Sequence, residues 1–136
     1  MKTRNTSSML IALLLASLAL GVTKAQAFVI NWRPVGITFG QTARVTAANT
    51  GTTAIIINGT FLDSEGTVLG QFDRQVIEPG KMMSFDLNAD DIVRESNRIQ
   101  IRVVISVNTS MGLLTSTEVF ENSTGKTTVF LGGPDT

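Results

Sequence analysis

The chain predicts an all-β domain: a single immunoglobulin-like or fibronectin-type β-sandwich of about seven or eight strands, standing behind a cleaved leader. Three observations predict it. Apolar and polar residues alternate with a period of two in short runs. Clusters of Gly, Pro, Asn, Asp and Ser interrupt those runs about every ten positions. After the leader, no segment sustains the apolar period of 3.6 that a helix would show. An up-and-down barrel is the alternative architecture, because alternation does not reveal strand order.

The leader is read first. MKTRNTSSMLIALLLASLALGVTKAQA places Lys2 and Arg4 ahead of an apolar run from Met9 to Leu20 and ends in the small-residue site Ala25-Gln26-Ala27. That is the pattern of a secretory signal peptide over 1–27, cleaved after Ala27. The apolar run is shorter than the ~20 residues a spanning helix needs, so no membrane anchor is expected after cleavage. The chain has no cysteine. A lipid anchor on a new N-terminal thiol is therefore not expected, and an exported domain must be stabilised by packing without disulfides. A bacterial periplasmic or extracellular location follows as the expectation. What remains is one domain, 28–131, with a flexible tail at 132–136.

Along the domain, Phe28 to Trp32 (FVINW) is a short apolar lead-in stopped by Arg33-Pro34, and Pro34 to Gly36 reads as a link. Gln41 to Ala48 turns Ala43, Val45 and Ala47 inward, and Asn49-Thr50-Gly51 reverses the chain. Ile55, Ile57, Gly59 and Phe61 share the inner face of the next strand. Asp63-Ser64-Glu65-Gly66 closes a hairpin in which Asp63 bonds its own turn and Gly66 supplies a positive φ. Thr67 to Phe72 returns. Glu78-Pro79-Gly80 has the Pro and Gly of a type II turn. Lys81 to Leu87 points Met83, Phe85 and Leu87 inward, and Asn88 caps a short turn over Ala89-Asp90-Asp91-Ile92-Val93. In Arg98 to Asn108, Ile99, Ile101, Val103, Ile105 and Val107 form one unbroken inner face, the mark of a central strand. Leu113 to Phe120 and Thr127 to Leu131 pair around Asn122-Ser123-Thr124-Gly125-Lys126.

The turn Asp63-Ser64-Glu65-Gly66, then Ile77-Glu78-Pro79-Gly80-Lys81 and Ser84-Phe85-Asp86-Leu87, then RIQIRVVI, make the stretch from Gln41 to Ile105 resemble uncharacterised secreted bacterial proteins with an immunoglobulin-like fold. The resemblance implies a fold and an exported origin, and it carries no functional residue with it.

Composition narrows the chemistry. There is no His, Cys or Tyr. Ser-His and Cys-His nucleophile pairs are excluded, as are zinc sites built on imidazole or thiolate. Ser-Lys catalysis would need Lys81 or Lys126, both beside turns where a lysine stays solvated. Asp63 with Glu65 and Asp90 with Asp91 are the paired carboxylates a small hydrolase would use, or the oxygen donors of a calcium site. Neither pair has a spaced calcium loop, and turn formation and capping account for both. The expectation is no enzyme, no catalytic or metal residue and no cofactor. The mature domain is mildly acidic without a basic stripe, which argues against nucleic acid. The expected function is a non-enzymatic, exported interaction domain that binds a protein or an envelope polymer. The alternative is a structural subunit of an extracellular assembly that donates Phe28 to Trp32 as a strand. Candidate interaction residues are Trp32 with Arg33, and Met111 with Leu113. Trp32 is either an exposed anchor or a packed pin, and the Met111 loop either a binding tip or a buried corner.

Overall fold

The structure is a computed structural model and describes residues 27–93 and 97–133. The leader reading therefore lies, but for Ala27, outside the described residues, as does the end of the tail. Nine strands follow in order: β1 (Phe28–Asn31), β2 (Val35–Thr38), β3 (Gln41–Asn49), β4 (Ile55–Asp63), β5 (Val68–Ile77), β6 (Met82–Asn88), β7 (Arg98–Val107), β8 (Leu113–Glu121) and β9 (Thr127–Gly132). Among the described residues the only helical element is a 3-10 turn at Ala89–Asp91, and no helix is long and apolar enough to cross a membrane.

The strands form two antiparallel sheets rather than a closed barrel. One runs β1-β7-β4-β5, with β2 also paired to β7, and the other runs β6-β3-β8-β9. Each strand turns one row of side chains into the shared core. Ile57, Phe61, Ile101, Val103, Ile105 and Val107 of the first sheet face Ala43, Val45, Ala47, Leu87 and Val119 of the second. The small alanines of β3 leave room for the large side chains opposite, as close packing between sheets requires. β7 is central, bonded to β4 on one side and to β1 and β2 on the other.

The strand count exceeds the expected one at β2. Val35–Thr38 pairs with β7 through Val35↔Ile101 and Ile37↔Ile99, so the stretch read as a link begins a strand. Pro34 lacks an N–H and splits what would be one edge strand into two. β5 also continues past Phe72 to Ile77, across a bulge at Asp73-Arg74 where Arg74 takes φ 43°. β9 extends to Gly132, one residue into the expected tail.

The turns match their local chemistry. Gly66 has φ 86° and donates its N–H to the Asp63 carbonyl, and Gly80 has φ 74° in a turn where Lys81 N–H donates to the Glu78 carbonyl. On the side where β5 meets β6, Phe72 stacks on Phe85 at 3.6 Å between ring centroids and meets Phe61 edge-on, joining the two sheets.

Candidate interaction surface

Strand register builds an apolar row on the outer face of the second sheet. Because Ala47, Met83 and Thr115 point inward, their neighbours Ala48, Met82 and Leu114 point out, and pairing sets Ala48 opposite both Met82 and Leu114. Met82 is 67% exposed and Leu114 is 61% exposed. Met111, 83% exposed, tops the turn that leads into β8. That turn is anchored: the Gly112 carbonyl accepts from Thr50 N–H at 2.7 Å and from Thr50 Oγ1 at 2.9 Å, while Gly112 (φ 76°) lies so close to the Gly51 backbone that a Cβ has no space. A thioether and a leucine side chain are thus held in water on a fixed end of the sandwich.

The same end is tied to the other sheet by Asn49. Its side chain is buried, donates at 2.8 Å to the carbonyls of Thr53 and Ile77, and accepts from Gly51 N–H at 2.9 Å. A buried amide satisfied on both atoms orders the loop that supports Met111. Asn49 looked like a turn residue in the sequence. Its cross-sheet partner Ile77 gives no local sign of the contact.

The sequence-derived candidates fall in different places. Met111 is exposed, whereas Leu113 is half-buried and packs against the core. Trp32 is 4% exposed and belongs to the core, with its backbone N–H donated to the Val103 carbonyl; of its two uses, the packed one is seen. Arg33 is exposed and, with Trp32 and the Phe130–Gly133 stretch, lines a cavity of about 150 Å³ near the end of β9. Trp32 sits beside the middle of β7 and Met111 lies beyond its end, so they do not form one site. Met82 and Leu114, both more exposed than Leu113, were missed because alternation marks them only as outward-facing.

The acids are engaged in structural hydrogen bonds, Asp63 within its own turn and Asp90 with neighbouring loops. Asp63 Oδ1 accepts from Glu65 N–H at 2.9 Å and Thr67 N–H at 2.8 Å, and these backbone bonds, Thr67 foremost, hold its carboxyl below the usual carboxylate range. Asp90 accepts from Gly40 N–H and from Asn122 Nδ2, and Asn88 Oδ1 caps the turn through Asp90 N–H. Among the described residues no three acidic side chains are grouped to hold a metal ion. On the outer face of the second sheet, Arg44 is bonded twice to Asp86 at 2.7 Å, which raises its pKa, and it lies over the Phe120 ring.

No protein-family model, curated protein or solved structure matches the chain.

Proposed function

We propose that the chain is a non-enzymatic, exported interaction domain that docks a protein partner through the Met82, Ala48 and Leu114 row and the adjoining Met111. The observation that carries the reading is the exposure of three large apolar side chains at one anchored end of the second sheet. Methionines are soft, adaptable contact groups, and a rigid loop reduces the entropy lost on docking. The leader-like N-terminus supports export, and the engagement of Asp63 by its own turn and of Asp90 by Gly40 and Asn122 supports a non-catalytic role. In a pull-down from the envelope fraction of the host, Met82→Asp with Leu114→Asp is expected to lose the partner while thermal stability stays unchanged. A partner retained by that variant and lost by Thr60→Asp, on the outer face of the other sheet, overturns the assignment.

A second reading, an assembly subunit, rests on a different observation. β1 is paired at home with β7, but the β9 edge carries neither charge nor proline within Thr127–Gly132, and Phe130 is 64% exposed. Such an edge is a template for another strand. Sizing chromatography over a concentration series separates the two readings: growing oligomers favour the subunit, a constant monomer the docking domain.

A further inference from the structure

The opposite face of the sandwich holds a groove of about 340 Å³ lined by Pro34, Asp63, Ser64, Gln100, Ile101 and Arg102. It forms where Ile101 of β7 is paired with Val35 on one side and Asp63 on the other, beside the break between β1 and β2. Ile101 faces the core, so Gln100 and Arg102 stand on the outer face, both exposed. Arg102, Gln100 and Ser64 make no side-chain hydrogen bond or ion pair among the described residues. A guanidinium, an amide and a hydroxyl are therefore free to donate into one groove, with the Pro34 ring as an apolar wall. The volume lies at the small-ligand end of pocket sizes, about 300–1,000 Å³.

Arg98 continues the line on the same face. Its guanidinium turns its Nε–Nη2 edge toward Gly36 of β2, in space that any Cβ at position 36 would occupy. The two arginines are four residue steps apart along the strand, roughly 13 Å at about 3.3 Å per residue. The acid at the groove, Asp63, accepts both of its turn bonds on Oδ1.

We propose that this groove binds a carboxylate-bearing sugar of an acidic polysaccharide, with Arg102 taking the carboxylate and Arg98 meeting a further carboxylate along the polymer. A planar guanidinium fits a carboxylate through two parallel bonds, and hydroxyl groups flanking that carboxylate find Gln100, Ser64 and Asp63. Two arginines in line, neither with a side-chain hydrogen bond or ion pair among the described residues, favour a linear polyanion over a single small anion. The inference is independent of the apolar docking face, which lies on the other sheet.

Titration calorimetry at low salt with a hexuronate oligomer, the uronate monomer, a neutral hexose oligomer of equal length and acetate tests it. The uronate oligomer is expected to bind wild type and to weaken about tenfold or more with Arg102→Gln. Arg102→Lys should be intermediate, and Arg98→Gln should weaken the oligomer but not the uronate monomer. No uronate binding, equal binding by Arg102→Gln, or equal binding of the neutral oligomer overturns the proposal. Acetate binding as tightly per carboxylate as the uronate monomer overturns the sugar specificity. Both arginines are exposed, so an unchanged melting temperature is the check that loss of binding is not loss of fold.

Discussion

Gly59 shows how one residue shapes the packing around it. It faces the core on β4 opposite Phe72, and the Phe72 ring occupies the space a Cβ would take. The ring is held there by its stack on Phe85. Gly59→Ala is expected to destabilise by about 1–3 kcal/mol, through overpacking rather than backbone strain. Denaturant midpoints of the single variants and of the Gly59→Ala, Phe72→Ala pair check this: truncating the ring should remove most of the alanine's cost. Asp63 predicts a pH effect. Its folded-state pKa lies below the unfolded value of about 3.9, so its turn bonds add stability above that pH and lose it as pH falls through the lower, folded value. Melting temperatures between about pH 5 and 2 should fall more steeply for wild type than for Asp63→Asn. Parallel curves would mean the turn bonds do not discriminate the charged carboxylate.

At the scale of the element, β7 is the strand on which the first sheet depends, since it bonds β4, β1 and β2. Ile101→Ala, at 1% exposure, should cost about 2–5 kcal/mol, while Gln100→Ala, exposed on the other face, should stay within about 0.5 kcal/mol. Equal costs in chemical denaturation would show the outer face to be packed as well. β1 is the peripheral counterpart: among the described residues it pairs with β7 alone, and Phe28 and Val29 remain 47% and 60% exposed. Deleting Phe28–Asn31 should lower the melting temperature, because it uncovers a backbone edge and the core side of Val107 and Ile105. An unchanged melting temperature would mean that β1 adds nothing to its own sheet. The β5 and β9 edges are unlike in charge: β5 carries Asp73 and Arg74 beside its bulge, whereas β9, which also has a register shift opposite Val119 and Phe120, carries no charged residue.

Taken whole, the molecule joins strands remote in sequence. Thr42 bonds Asn122 80 residues away, and β1 meets β7 only after most of the chain has been placed. Closing such loops precedes any gain from pairing, so refolding is expected in milliseconds to seconds rather than microseconds. Trp32, the single tryptophan and a core residue, supplies the stopped-flow fluorescence signal. A sub-millisecond recovery of its native emission would mean that the core around β7 forms before the distant strands pair.

Alternation along β3, β4 and β7 was enough to name the inward residues Ala43, Val45, Ile57, Phe61, Ile101 and Val103, because a strand sends successive side chains to opposite faces whatever its neighbours are. Gly66, Gly80 and Asn88 marked their turns for a similarly local reason: each turn is made by the backbone of a few adjacent residues. β2 escaped notice because its four residues, Val35 to Thr38, are too few to establish alternation between Pro34 and Phe39-Gly40. β5 was cut short at Asp73-Arg74 because a bulge breaks the period of two while the pairing continues beyond it. The apolar row of Met82, Ala48 and Leu114, the groove between Pro34 and Arg102, and the Asn49 tie to Ile77 had no signal in any single segment. Each depends on which strands become neighbours, and that choice is made by burial and hydrogen bonding over the whole chain, so only the tertiary structure decided it.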